Sequence, residues 1–285
     1  MDRNGDPAPF FPAELERQIF EFAAEIYPET IAPLLLVSHR VQDWIERIKY
    51  RTVITLFNHI TCRIRPLQRA IRANVKPIGF FRECVRHLFI GIALSSEEMS
   101  EILAACSGVT SLAIIDDEVG PWALPSLATT QPRRLYVHLT NLFGGIPSLD
   151  LQHPMFGRLT HLELFDDDIA DLPWPAFSAL PALTHLALYQ IRSELLVLEV
   201  FSTCARLTVL VDMRSRPPTL AKRLAVDDKR FVSIVVGDED YGRDWYVGAR
   251  GGYDFWVRAD AFVAKKQRGE IKPSSRCWIE DGDGI

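Results

Sequence analysis

A recurrence governs this sequence. The tetrapeptides Val-Thr-Ser-Leu (109–112), Leu-Thr-His-Leu (159–162 and again 183–186) and Leu-Thr-Val-Leu (207–210) belong to one pattern, apolar-x-x-apolar-x-apolar. It runs through Val85/Leu88/Ile90, Val109/Leu112/Ile114, Pro132/Leu135/Val137, Leu159/Leu162/Leu164, Leu183/Leu186/Leu188, Leu207/Leu210/Asp212 and Phe231/Ile234/Val236. The central residues 88, 112, 135, 162, 186, 210 and 234 are separated by 24, 23, 27, 24, 24 and 24 positions. Nineteen of these 21 positions are apolar in a chain that is 48% apolar overall. A fixed period of this length is the signature of a stacked repeat, because a single unit cannot bury its own apolar face.

Each triplet reads as a short strand. Alternation in Leu-Thr-His-Leu-Glu-Leu-Phe sends Leu162 and Leu164 to one face and His161, Glu163 and Phe165 to the other. The residues between strands are enough for a return crossover, so the strands are expected to be parallel. Residues 95–108 predict a helix: Ser95 and Glu98 form a capping box, Met99, Ile102, Leu103 and Cys106 form an apolar stripe, and Gly108 stops it. Residues 193–206 predict a second one, whereas the proline-studded stretches 120–132 and 171–181 predict irregular or 3₁₀ returns. The fold class is therefore α/β, with a parallel sheet over residues 81–240. Asp212 stands at an inward position and predicts a local distortion.

The N-terminal part reads as helices. Pro12 suits the start of a helix in which Leu15, Ile19, Phe22 and Ile26 share one face, and Pro28 ends it. Thr30 caps a short second helix, and Val41, Trp44, Ile45 and Ile48 stripe a third. Residues 51–57 have strand composition, and a helix around Leu67, Ala70 and Ile71 follows, so residues 51–80 connect the helices to the repeats. Residues 1–9 read as a disordered tail. Residues 241–285 carry Trp245, Tyr246, Tyr253, Phe255, Trp256 and Phe262, too aromatic for a floppy segment. They are expected to cap the open end of the repeats, with Trp256–Lys265 as a helix, or to act as a lid over a bound target; residues 273–285 are expected to be disordered.

Composition excludes several functions. A net charge of −5 argues against nucleic acid as the main partner. The longest apolar run, 31–37, is far shorter than the roughly 20 residues that span a bilayer, and no secretory signal is expected. The widely spaced Cys62, Cys84, Cys106, Cys204 and Cys277 suggest neither a disulfide framework nor a zinc clip, which fits a reducing compartment, cytoplasm and/or nucleus.

The L-x-x-L-x-L pattern at a period near 24 resembles leucine-rich repeats. The family's usual asparagine position holds Asp117, Asp167, Ile191 and Glu239 instead. The first 40 or so residues resemble an F-box: Phe11-Pro12-Ala13-Glu14-Leu15, Ile19-Phe20, Leu34-Leu35-Leu36-Val37-Ser38-His39-Arg40 and then Trp44. An F-box-like head over 10–50 followed by leucine-rich repeats is similar to large families of fungal F-box proteins. The resemblance implies a substrate receptor of a Skp/cullin/F-box ubiquitin ligase. Phe11, Pro12, Leu15, Ile19, Leu35, Leu36, Val37 and Trp44 would bind the Skp adaptor, and through it a cullin ligase, while the repeats hold a target protein. Core packing of a small helical cap is the alternative role for those eight residues, with the chain then a repeat scaffold that does not bind the adaptor.

If the repeats grip a target, the outward strand columns are the place. Arg134, Tyr136, His138, His161, Glu163, Phe165, His185 and Tyr189 fall on neighbouring strands, and arginine and aromatics are the types enriched at interface hot spots. An ordinary sheet surface, or coverage by another segment of this chain, is the competing reading. His161, His185 and Glu163 also admit a metal site, but exposed histidines fit the pattern better. The glycines of 248–252 lack a phosphate-loop lysine, the acidic run 166–168 reads as a solvated turn, and no nucleophile motif is present. No catalytic residue, metal or cofactor is expected.

Overall fold

A computed structural model describes residues 11–55, 64–91, 94–217, 224 and 226–285. The expected tail 1–9, the end of the 51–57 strand and Cys62 lie outside them. Eight strands form one all-parallel sheet in sequential order: β1 (Thr52–Ile54), β2 (His87–Ile90), β3 (Ser111–Ile114), β4 (Arg134–Val137), β5 (His161–Leu164), β6 (His185–Tyr189), β7 (Val209–Arg214) and β8 (Phe231–Val235). Val53, Leu88, Leu112, Leu135, Leu162, Leu186 and Leu210 stand in one register row. The recurring central leucine is thus the rung of the ladder.

The final rung departs from the expected period. Leu210 pairs with Phe231 rather than Ile234, an interval of 21 residues, and Ile234 pairs with Met213. A shift of three is odd, so every side chain of β8 changes face. Ile234 joins Val211, Met213 and Val232 on the face opposite the leucine row, and Phe231 takes the inward place.

The leucine row faces the main core, which runs continuously from Val53 to Phe231. The chain returns between strands on that side. α4 (Ile64–Arg72) and α5 (Phe80–Cys84) precede β2, and α6 (Ser96–Ala105) carries the expected capping box, both Ser95 and Glu98 bonds being present. The proline-rich return 120–132 is more regular than expected. A 3₁₀ turn leads into α7 (Leu124–Thr130), because Pro125 lies in the first turn, where no amide donor is needed. α8 (Leu139–Phe143), α9 (Trp174–Phe177) and α10 (Glu194–Thr203) complete the set, with Trp174 and Phe177 buried between returns.

Two inward carboxylates hold the returns in place. Asp166 is buried and accepts the Leu139 and Thr140 amides at 3.0 and 2.7 Å, plus the Thr140 hydroxyl. It therefore anchors the start of α8 instead of lying in a solvated turn. Asp212 accepts from the Ile191 amide (2.9 Å), the Ser233 hydroxyl (2.9 Å) and Arg214 (2.5 Å). The repeat does depart from its period at this strand, where Asp212 pairs with Ser233 and β8 follows after 21 residues, while the three donors satisfy the carboxylate.

At the N-terminus α1 (Ala13–Ile26), α2 (Ile31–Leu34) and α3 (His39–Arg51) pack around Ala24, Ile31, Val41, Ile45 and Ile48. Pro12 is the cap of α1 rather than its first residue, and Ser38 caps α3 through the Val41 amide. α3 runs directly into β1, which joins the helices to the sheet.

The C-terminal segment lies across the sheet face opposite the main core. α11 (Asp238–Ala249) and α12 (Phe255–Gln267) pack there, and α12 buries Phe255, Trp256, Ala259, Phe262 and Val263 against β7 and β8. This corrects an end-cap placement, because the flipped β8 presents Val232 and Ile234 to that face. Residues 273–285, expected to be disordered, are ordered. Cys277 is buried, Ser233 bridges to Trp278 beside β8, and the buried Arg276 is held by Asp283 at 2.6 and 2.8 Å.

Candidate functional site

The sequence reading assigns two surfaces, and the structure treats them differently. The first is the N-terminal helical face. Leu15, Ile19, Phe22 and Ile26 follow one another along α1 and are all about half exposed or more, Phe22 at 64%. Phe11, Tyr27, Val37 and especially Leu36, at 86%, are exposed as well. Along the whole of α1 Ala24 is the one buried residue, so the apolar row of the helix faces outward. Of the eight residues assigned to adaptor binding, Phe11, Pro12, Leu15, Ile19, Leu36 and Val37 are exposed. Leu35 and Trp44 are half-buried against the small core, and Arg40 lies over the Trp44 ring. Phe22, Ile26 and Tyr27 extend the apolar face beyond that set. Their helical spacing with Leu15 and Ile19 is the signal that marks them.

The second surface is the outward strand face, and it is covered. Tyr136 and Glu163 are buried, each 3% exposed, under α11 and α12. Tyr241 packs on Tyr136 and Phe165, Trp245 meets Phe89 edge-on, and Trp256 stands edge-on to both His161 and His185. Arg134 pairs with Asp254, and His185 Nε2 is 3.0 Å from Asp260. Phe165 and Tyr189 stack on each other, and His138 lies 3.5 Å from Asp117. Arg134, Tyr136, His161, Glu163, Phe165 and His185 therefore do come together, but as the inner side of an intramolecular interface, with His138 and Tyr189 beside them against Phe165. Exposure was the wrong expectation for Tyr136 and Glu163: interface-type residues on a sheet are equally suited to bind a later segment of the same chain. Trp245, Tyr241, Asp254, Trp256 and Asp260 are the partners sequence reasoning left unmatched to this face.

Electrostatics follow burial. Glu163 accepts one bond, from Tyr241 Oη to Oε2 at 3.0 Å, while Oε1 is buried with no hydrogen-bond partner among the described residues. Burial drives its carboxyl well above the usual range, against the opposing pull of the Tyr241 bond. Burial, with His185 and Arg134 nearby, holds His161 down at about 2. The His161 and His185 rings stack at 4.1 Å and 7°, each Nδ1 beside the hydroxyl of the preceding threonine. Parallel rings do not converge on a common point, and no group of three or more candidate ligands that could hold a metal ion occurs among the described residues. The cavity between Arg134, His161, Glu163, Trp245 and Trp256 measures about 20 Å³, room for one water.

No protein-family model matches the sequence, and no curated protein matches it. The geometry defines a parallel repeat sheet whose outward face carries its own C-terminal helices, joined to a small helical unit with an outward apolar face. No helix among the described residues is long and apolar enough to cross a membrane.

Proposed function

We propose that this chain is the substrate-recognition subunit of a Skp/cullin/F-box ubiquitin ligase, its α1–α3 unit being an F-box-like head and its sheet a leucine-rich-repeat array. One observation carries the reading: Leu15, Ile19, Phe22 and Ile26 stay exposed along α1, and Leu36 and Val37, which follow α2, are exposed as well. A row of large apolar side chains left exposed on one helix marks a site of association. A groove that receives an amphipathic helix is the matching partner surface, which the Skp adaptor supplies in this reading. The alternative role in core packing is disfavoured for these residues by their exposure. The chain itself performs no chemistry; a bound conjugating partner does, and the receptor raises the local concentration of target lysines. Because α11 and α12 cover the strand columns, the target contact falls on the rim, where Arg134, His138 and Tyr189 keep partial exposure.

The test is co-purification of the full chain with a Skp adaptor. Wild type is expected to retain the adaptor. Leu15→Asp and Leu36→Asp, both exposed, are expected to lose it while the fold is unchanged by circular dichroism. A wild-type chain that purifies alone and monomeric in the presence of excess adaptor would leave a repeat scaffold with a degenerate head.

A further inference from the structure

The two C-terminal helices are not held alike. α12 is fixed by five fully or nearly fully buried apolar side chains and by the buried Lys266, whose Nζ donates to the Asp228 carbonyl at 3.0 Å. In α11 the only described residue that is buried is Gly242; Tyr241, Trp245 and Tyr246 are half-covered. Gly237 precedes α11 and Gly251–Gly252 follow it, with Gly251 at φ +77° and open space where a Cβ would stand. Left-handed backbone of this kind is where a chain can pivot at low cost.

What α11 covers is also distinct. Ile54, Phe89, Ala113 and Tyr136 form an apolar patch of their own on β1–β4, separate from the main core, with Tyr241, Trp245 and Tyr246 laid upon it. Glu163 sits at its margin with one oxygen bonded to Tyr241 and the other without a hydrogen-bond partner among the described residues. Closing α11 over a carboxyl opposes the apolar gain, since taking such a group out of bulk water is costly. The remaining polar ties are few. Asp244 accepts the Phe255 amide and pairs with Arg258 at the start of α12, beside the pivot, and Arg250 donates to the Glu25 carbonyl at the end of α1.

We propose that α11 is a flap: it opens alone, with α12 and the sheet in place, and its latch is the Tyr241–Glu163 hydrogen bond. Opening uncovers the Ile54/Phe89/Ala113/Tyr136 patch together with the Glu163 carboxylate. The Arg250–Glu25 contact places the pivot end of the flap against the same helix that carries the exposed apolar face. Local opening of a weakly buried element against a stable remainder is a general property of native proteins.

Native-state hydrogen exchange on the full chain tests this. Amides of α11 are expected to exchange about 100-fold faster than those of α12, at rates that barely respond to low denaturant, as a local opening does. Tyr241→Phe, which keeps the ring and removes the donor, is expected to speed α11 exchange about fivefold, the worth of one hydrogen bond, and to leave α12 unchanged. Exchange of both helices with one rate and one denaturant slope would overturn the proposal. So would a Tyr241→Phe chain whose α11 exchanges as in wild type.

Discussion

Glu163 shows how one side chain sets a pH dependence for the whole chain. Its carboxyl is raised by burial, so the folded protein binds a proton more tightly than the unfolded one does. Stability from this group is full below the ordinary carboxylate range and declines as pH rises from there toward its raised folded value. At neutral pH the fold carries the cost of a buried carboxyl. Glu163→Gln keeps the shape and cannot ionise. Its thermal midpoint is expected to exceed that of wild type near pH 7, by the equivalent of about 1–3 kcal/mol, and the two are expected to converge below about pH 4. A gain that stays constant across this range would show that the carboxyl is not the cause. Gly108 makes a steric case. A Cβ there would overlap the Arg82 carbonyl oxygen, so Gly108→Ala is expected to cost about 1–3 kcal/mol in urea titration. The sequence marks Gly108 as a helix stop; nothing in it shows that the backbone of residue 82 passes alongside.

At the scale of elements, legibility followed the range of the contacts. The leucine rungs from Leu88 to Leu210 and the capping box of α6 rest on local spacing, and local spacing is written in the chain. The β8 register is not: Phe231 rather than Ile234 meets Leu210, and both are apolar, so the pattern admits either. What decides is the pair of faces β8 must satisfy, Phe231 toward the main core and Val232 with Ile234 toward α12. The covering of Tyr136 and Glu163 depends on Tyr241, more than 100 and nearly 80 positions away in sequence, and no periodicity reports such a pairing. Asp212 binds three elements at once, the β6 exit through the Ile191 amide, its own strand through Arg214, and β8 through Ser233. Asp212→Ala leaves the Ile191 amide and the Ser233 hydroxyl without their acceptor and takes the carboxylate partner from the half-buried Arg214. It is expected to destabilise by about 3–5 kcal/mol, with early loss of the β8 amides in hydrogen exchange; a loss under 1 kcal/mol would mean that water replaces the carboxylate.

Among the described residues, both faces of the sheet are closed internally, whereas the apolar face of α1 is not. The leucine rows close on the returns, and the opposite sheet face closes on α11 and α12, yet α1 leaves Leu15, Ile19, Phe22 and Ile26 outward. Substituting these residues removes nothing from a core, so Ile19→Asp with Phe22→Asp is expected to shift unfolding free energy by no more than about 0.5 kcal/mol per site. Association is where the change should be felt. An exposed apolar stripe with no adaptor present is expected to find a second copy of itself, giving reversible, concentration-dependent self-association by sedimentation velocity. The double variant is expected to sediment as a monomer across the same concentrations. Added adaptor is expected to dissolve the wild-type oligomers into one-to-one complexes, since both partners compete for one stripe. Oligomers that persist in the double variant would place the sticky surface elsewhere, with Leu195 and Leu198 of α10 one exposed apolar pair and Val75 with Ile78 another, and would remove the main physical support for docking through α1.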